Sequence, residues 1–283
     1  MKSPVKSFYS ALIGTAVVAT SLFAAPAAHA DQIFGFKIDL TSLGGPVINN
    51  INELNFSGSS FVRNTFPGGL GAPFTFTDNG VFSFGNKNGG LSLGLGFGQL
   101  TGDYTMGSGT GQLGSSITFD AGGQFDIYYN PVTTFGDSAA NRYGAATGTK
   151  IATFRQLAGG GGAINPDGTP SANGQLQLNF VAESLRANTW FTSTGDSLAE
   201  AFTFSFVTAN ASQDNSNNCP SPCSTDPNLI AALGGGPNTL PNQFLVSNGA
   251  QFKLADNVVP EPGTVALLGL GLLGFGVMRR KSA

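Results

Sequence analysis

The chain predicts an all-β fold, a single jelly-roll-like β-sandwich over residues 31–257, and three observations carry that prediction. Gly and Phe are abundant, at 41 and 24 of the 283 residues. A Gly inside a helix costs about 1 kcal/mol relative to Ala, so such a chain suits strands and turns. Large apolar residues recur with a period of two, as strands with one buried face require. The runs are short and separated by Gly, Asn, Asp and Pro, which fits a sandwich or barrel better than a parallel sheet layered with helices.

The first thirty residues stand outside that domain. Lys2 and Lys6 form a positive start, Ala11 to Ala25 an apolar stretch, and Ala28-His29-Ala30 an A-x-A site. This is the layout of a cleaved secretory signal peptide, residues 1–30, and cleavage leaves Asp31 as the first mature residue. Within the body, Phe74 to Thr77 and Val81 to Phe84 flank Asp78-Asn79-Gly80, which predicts a hairpin with a three-residue turn. Leu91, Leu93, Leu95 and Phe97 alternate with Ser92, Gly94 and Gly96. A strand there would have one large apolar face and one nearly bare face. Further strands are expected at Ile117 to Asp120, Phe125 to Tyr129, Ile151 to Phe154, Leu176 to Phe180, Phe202 to Val207 and Gln251 to Leu254.

One short helix is punctuated. Asp226 can cap it, Pro227 opens it, Leu229 to Leu233 supply the turn and Gly234 ends it, and its expected place is over an open end of the sandwich. Gly159 to Gly162 with Asn165-Pro166-Asp167-Gly168, and Gln213 to Thr225, read as loops. The second holds both cysteines of the chain, Cys219 and Cys223, spaced as Cys-Pro-Ser-Pro-Cys. In an exported chain a local structural disulfide is the expectation. A redox pair is the weaker alternative, since two prolines fill the spacer and no helix begins after the first cysteine.

The other end of the chain carries the most specific signal. Val259-Pro260-Glu261-Pro262 is followed by an uncharged apolar run from Thr264 to Met278 and then Arg279, Arg280 and Lys281. Fifteen residues are fewer than the roughly twenty of a free-standing span, but basic side chains at a helix end reach the headgroups and stay on the cytoplasmic side. The segment therefore predicts a short C-terminal transmembrane helix that holds the chain in a membrane, at least transiently, with residues 31–257 as an ectodomain outside. The arrangement resembles the PEP-CTERM sorting signal of exopolysaccharide-producing bacteria, here over residues 258–283. That resemblance implies recognition by an exosortase-type membrane protease, removal of the tail, and release or transfer to the cell surface. An ordinary C-terminal anchor with a coincidental Pro-Glu-Pro is the alternative.

Composition narrows the chemistry. Setting aside Lys2, Lys6, Arg279, Arg280, Lys281 and Glu261 leaves eight basic against fifteen acidic residues, a net charge near −7 with no basic cluster. Nucleic acid and anionic membrane surfaces reward Lys and Arg patches, so neither is an expected partner of the body. The only histidine, His29, leaves with the signal peptide. A Ser-His-Asp or Cys-His site therefore cannot form, and the commonest transition-metal ligand is missing. A carboxylate pair for glycoside hydrolysis needs only Asp and Glu; Glu53, Glu183 and Glu200 are candidates, but no spacing singles out two of them.

The chain is thus expected to be no enzyme and to need no cofactor. Calcium is the one ion that the sequence leaves open, at Asn165-x-Asp167-Gly168 or Asp214-Asn215-x-Asn217, where turn geometry is the simpler use of such residues. Carbohydrate binding would draw on Tyr104, Tyr128, Tyr129, Tyr143 or Trp190, with core packing the simpler use of Trp190. Ile51 to Ser59, then a Gly-rich strand, then Gly122 to Asn130, are similar to segments of flocculation-associated PEP-CTERM proteins, and no catalytic residue follows from that likeness. The expected role is an exported, exosortase-processed surface or matrix protein that associates with exopolysaccharide in a floc or biofilm. The alternative is a secreted carbohydrate-binding module or carboxylate-based glycan-active enzyme using the same exit.

Overall fold

Antiparallel pairing between long strands dominates the structure, a computed structural model that describes residues 32–171, 174–198, 203–213, 226–236 and 238–256. The strands are β1 (Phe36–Asp39), β2 (Val47–Ile51), β3 (Leu54–Thr65), β4 (Phe74–Lys87), β5 (Leu91–Ser92), β6 (Gln99–Gly111) and β7 (Ser116–Phe119) in the first half. The second half holds β8 (Gln124–Asn130), β9 (Thr149–Gln156), β10 (Gly162–Ala163), β11 (Gly174–Leu185), β12 (Trp190–Phe191), β13 (Thr203–Gln213) and β14 (Gln243–Asp256). One seven-residue helix, α1 (Pro227–Leu233), lies between β13 and β14.

The pairing closes on itself. β3, β4, β6, β8, β9, β11, β13 and β14 each pair antiparallel with the next, and β14 returns to pair with β3. Eight long strands in chain order therefore form an up-and-down barrel, which leaves no long exposed edge. The expected all-β class holds, but the jelly-roll form does not. A jelly roll splits its strands between two sheets through Greek-key crossovers, whereas each long strand here pairs with its neighbours in sequence. Where β6 runs past β8, its Gly109–Gly111 end pairs with β7, β7 pairs with β10, and Gly161 bridges to Gln177 of β11. The wall is continuous at that end too.

The barrel wall explains why Gly and Phe are both abundant. Inside it pack Phe56, Phe82, Phe84, Phe125, Phe154, Phe180 and Phe252, all buried and in ring contact with one another. A Cβ on Gly102 of β6 would lie 2.6 Å from the Phe125 ring, one on Gly109 2.5 Å from the Phe76 ring, and one on Gly111 2.7 Å from the Phe74 ring. Beside its inward Leu100 and Tyr104, β6 thus leaves bare stretches of inner face at these glycines, and rings from the adjoining β4 and β8 occupy the space above them. Apart from the patch under α1 the outer wall is polar: Ser57, Ser59, Thr75, Thr77, Gln177, Gln251 and Lys253 alternate with the inward residues. That polarity is the reverse of a lipid-facing barrel. Among the described residues no helix is long and apolar enough to cross a membrane.

β1, β2 and β12 make a separate three-stranded sheet. Its Phe36, Ile38, Ile48, Ile51 and Trp190 continue the barrel core at the end where β3 begins and β14 finishes. Trp190, fully buried, donates Nε1–H to the Ile151 carbonyl at 2.8 Å.

Two local expectations are corrected. Asp78-Asn79-Gly80 is no turn: it lies in the middle of β4, which pairs with β3 from Leu54↔Lys87 to Thr65↔Thr75. Phe74, Phe76, Phe82 and Phe84 keep one inward phase through it, so the period of two outweighs the local turn signal. The Leu91 to Phe97 run is a strand only at Leu91–Ser92; Gly94 and Gly96 take positive φ of 69° and 62° and break it, leaving Phe97 exposed. The strands expected at 117–120, 125–129, 151–154, 176–180, 202–207 and 251–254 all correspond to barrel or barrel-edge strands.

The helix forms with the expected punctuation. Asp226 Oδ1 accepts from the Asn228 N–H at 2.8 Å, Pro227 opens α1, and Gly234 ends it at φ 66°. Its position differs from the expectation. Instead of an open end it covers the outer face of β3, β4 and β14, where Leu233 packs with Phe61, Val81 and Leu245, and Leu229, Ile230, Phe135 and Tyr143 surround them.

Candidate functional site

The sorting residues Val259, Pro260, Glu261, Pro262, Arg279 and Arg280, the signal-cleavage residues Ala28, Ala30 and Asp31, and the cysteine pair Cys219 and Cys223 all lie outside the described residues. What the structure does fix is the chain that precedes the tail. β14 ends at Asp256 after pairing on both sides, so all eight barrel strands lie ahead of residue 258.

The candidate ligand residues of the body are mostly committed elsewhere. Tyr104, Tyr129 and Trp190 are core residues. Tyr128 is half-buried beneath Lys150, whose Nζ stands 5.6 Å from the ring centroid. Tyr143 packs edge-on against Phe135 and donates its hydroxyl to Asp226 at 2.6 Å. Glu53 pairs with Lys253 at 3.4 Å and Glu183 pairs with Arg155. The structure does not bring these two carboxylates into one described site, and Glu200 lies outside the described residues.

At the first calcium candidate, Asp167 Oδ1 accepts from both the N–H and the hydroxyl of Thr169, at 3.0 and 2.6 Å, while Asn165 Nδ2 donates to Thr169 Oγ1 and the Pro170 carbonyl. These bonds shape a turn. The second candidate, Asp214 to Asn217, lies outside the described residues. Among the described residues no three His, Cys, Asp or Glu side chains converge as metal ligands would.

Charged groups on the outer wall form a closed network. Asp103 and Asp126 face each other across β6 and β8. Asp103 accepts from Arg142 Nε at 2.9 Å, and Asp126 accepts from Lys150, Gln124 and Thr153 at 2.7–2.8 Å. Burial pushes the Asp103 carboxyl up, and the Arg142 guanidinium beside it offsets part of the rise. The remaining Arg142 nitrogens donate to the carbonyls of Ala232, in the last turn of α1, and Tyr104. This arginine ties the helix to the barrel.

The unexpected site is inside. Asp78, read from the sequence as part of a turn, points from β4 into the barrel, where it borders two adjoining cavities of about 40 and 50 Å³. Both also touch Ser60, Phe119, Leu176 and Asn248. Asn248 Nδ2 donates to Ser60 Oγ at 3.2 Å, and the Ser60 hydroxyl hydrogen-bonds the Asp78 carboxyl. Asp78 Oδ1 is buried and has no hydrogen-bond partner. Burial pushes this carboxyl up to about 7, with Ser60 opposing the rise. Below it, the Tyr104 hydroxyl hydrogen-bonds Gln156, and burial together with the nearby Asp78 charge raises Tyr104 well above the ordinary phenol range. The outer cavity is roofed by Ile164, Gly168 and Pro170 of the β9–β11 connection. The sequence carried one signal for this site, a charged residue in phase with an inward Phe series, and the Asp-Asn-Gly turn pattern masked it.

Comparison with known proteins bears on the tail alone. Residues 258–281 match the PEP-CTERM protein-sorting motif. The match marks this chain as an exosortase-sorted, exported surface protein. No curated protein and no solved structure matches the chain.

Proposed function

We propose that this protein is exported, loses its tail at or near Pro260–Pro262, and is incorporated with exopolysaccharide into the matrix of a floc or biofilm as a non-enzymatic component. The sorting motif at 258–281 carries the reading, because it directs the chain to a surface-processing protease. The barrel supports it in two ways. Its last described strand ends at Asp256, so removing the tail leaves all eight barrel strands in the chain. Its polar outer wall suits display in an aqueous matrix, and Glu53 and Glu183 are held in separate ion pairs and not together as a glycan-hydrolysing pair would be. Cys219 and Cys223 are proposed to close a local disulfide once exported.

Complementation tests the reading. A deletion strain should lose floc or biofilm cohesion while still making polysaccharide, and a gene ending at Asn257 should not restore cohesion although it encodes all eight barrel strands. Intact-mass measurement of the extracellular protein should give a species that starts at Asp31 and lacks the basic end. Normal cohesion in the deletion strain overturns the matrix role; full rescue by the truncated gene overturns the need for the sorting tail.

A further inference from the structure

The barrel interior combines four features that neither sorting nor matrix incorporation requires. A carboxyl stands at mid-barrel with one oxygen, Asp78 Oδ1, buried and unpartnered. Two cavities meet at it, each several times the space of about 10–15 Å³ that one water needs. No lysine, arginine or histidine lines either cavity, so nothing in the wall balances a charge on Asp78. Apart from Ser60, Asn64, Tyr104 and Asn248 the lining is aromatic and aliphatic, with Phe56, Phe76, Phe82, Phe119, Phe125 and Phe180 around the carboxyl.

Uncompensated carboxylates are not stable guests of such a space. A buried ion without a partner costs several kcal/mol, and ordinarily the group takes up a proton or gains an opposite charge. An evolved apolar core would place a Leu or Phe at this inward position, in line with Phe74, Phe76, Phe82 and Phe84. Here the position holds an acid beside the Ser60 hydroxyl, which itself accepts from the Asn248 amide. Closed eight-stranded barrels are wide enough to hold one small ligand.

We propose that the cavity pair around Asp78 is a binding site for a small organic ammonium ion bearing an apolar group. The ammonium donates to Asp78 Oδ1 and supplies the missing positive charge. Its apolar part lies among the Phe rings, which favour a cation electrostatically through their faces and a short alkyl group through burial. The Ser60–Asn248 pair fixes the carboxyl so that Oδ1, and not the oxygen near Ser60, is offered to the ligand. A neutral alcohol of the same shape makes one uncharged hydrogen bond in place of a charge-assisted pair and binds more weakly.

Titration calorimetry on the purified exported protein at pH 8 tests this with ethylamine and propylamine, and with ethanol and 1-propanol as neutral counterparts. The expected result is saturable one-to-one binding of at least one amine, tighter than its alcohol by about tenfold or more, as a charge-assisted hydrogen bond implies. Asp78→Asn should abolish the amine preference while the buried Trp190 emission stays unchanged. Should that variant fail to fold, Ser60→Ala, which frees the carboxyl to turn, should weaken amine binding and leave alcohol binding alone. Absence of saturable amine binding, equal binding of amine and alcohol, or an amine preference that survives loss of the Asp78 charge overturns the proposal and leaves the cavities as water sites. Cell cohesion plays no part in this readout, so failure here and failure of the matrix role are separate results.

Discussion

Tyr143 and Asp226, 83 residues apart in the chain, meet in a 2.6 Å hydrogen bond from the phenol to Oδ2, and the other oxygen of the same carboxylate caps α1 at Asn228. One aspartate thus serves two elements. Tyr143 projects from a turn in which Asn141, Arg142 and Tyr143 all take positive φ, at 49°, 55° and 58°. Left-handed backbone of this kind costs roughly 1–2 kcal/mol per non-Gly residue, so it persists because its side chains are held. Arg142 is held by Asp103 and two carbonyls, Tyr143 by Asp226 and Phe135.

Tyr143→Phe keeps the ring packing and removes only the hydroxyl. The expected loss is about 1 kcal/mol in denaturant unfolding, the usual worth of one hydrogen bond. Amide exchange in α1 should quicken more than exchange in β3 or β14, because the helix is docked through this contact. Unchanged exchange in α1 would show that Leu233 and its neighbours hold the helix without the phenol.

Alkaline titration should find no ordinary phenol in the body. Tyr143 is pushed up to about 12, first by its hydrogen bond to Asp226 and then by burial, and burial raises Tyr104, Tyr128 and Tyr129. A raised folded value means that the proton is bound more tightly in the folded state. The associated stability is complete below pH 10 and lost as the pH climbs through the folded values, toward 12 for Tyr143. Tyrosinate absorbance of the mature protein should therefore lag behind that of the urea-unfolded chain. Superimposed curves would sink the prediction.

Asp78 gives the opposite end of the pH scale. Its folded value of about 7 lies above the ordinary 3.8, so its contribution to stability is fully present below about pH 4 and is lost as the pH rises to 7. In ligand-free protein, Asp78→Asn should be more stabilising, or less destabilising, at pH 8 than at pH 5. Paired urea midpoints of the two proteins at those pH values check this. An equal wild-type-to-variant difference at both would show that the carboxyl does not titrate in that window.

Gly102→Ala probes the ring-over-glycine packing. The new methyl would enter the Phe125 ring at 2.6 Å, and that ring also touches Phe56, Phe82, Phe180 and Phe252. Overpacking of this kind costs about 1–3 kcal/mol. At Gly249, where an added Cβ meets nothing within 4 Å, the same change should cost less. Equal midpoints for the two variants would mean that the rings move aside freely.

How much of this was legible beforehand differs from element to element. Strands with large residues on alternate positions, such as Phe125 to Tyr129 or Gln251 to Leu254, could be read directly, and so could α1, whose cap, proline and terminal glycine lie within nine residues. β6 could not, because glycine at its inward positions Gly102, Gly109 and Gly111 leaves only Leu100 and Tyr104 to mark the apolar rhythm. The groups that fill that face belong to β4 and β8. Asp78 was misread for a related reason: Asp-Asn-Gly is a strong turn signal by itself, and only twelve residues of pairing with β3 overrule it.

The amino-acid sequence by itself determined the all-β class, the sorting motif and the helix boundaries, since each is written in neighbouring residues or in composition. Tertiary structure alone decided that the strands close into a barrel, that α1 lies on its wall and that Asp78 faces the barrel interior. Closure depends on β14 meeting β3 across nearly the whole chain, with Phe252 opposite Leu54 and Gln243 opposite Arg63. Local periodicity says which face of a strand is apolar; it does not say which strand lies next to it. That choice is made by the combined packing of all eight inward faces at once.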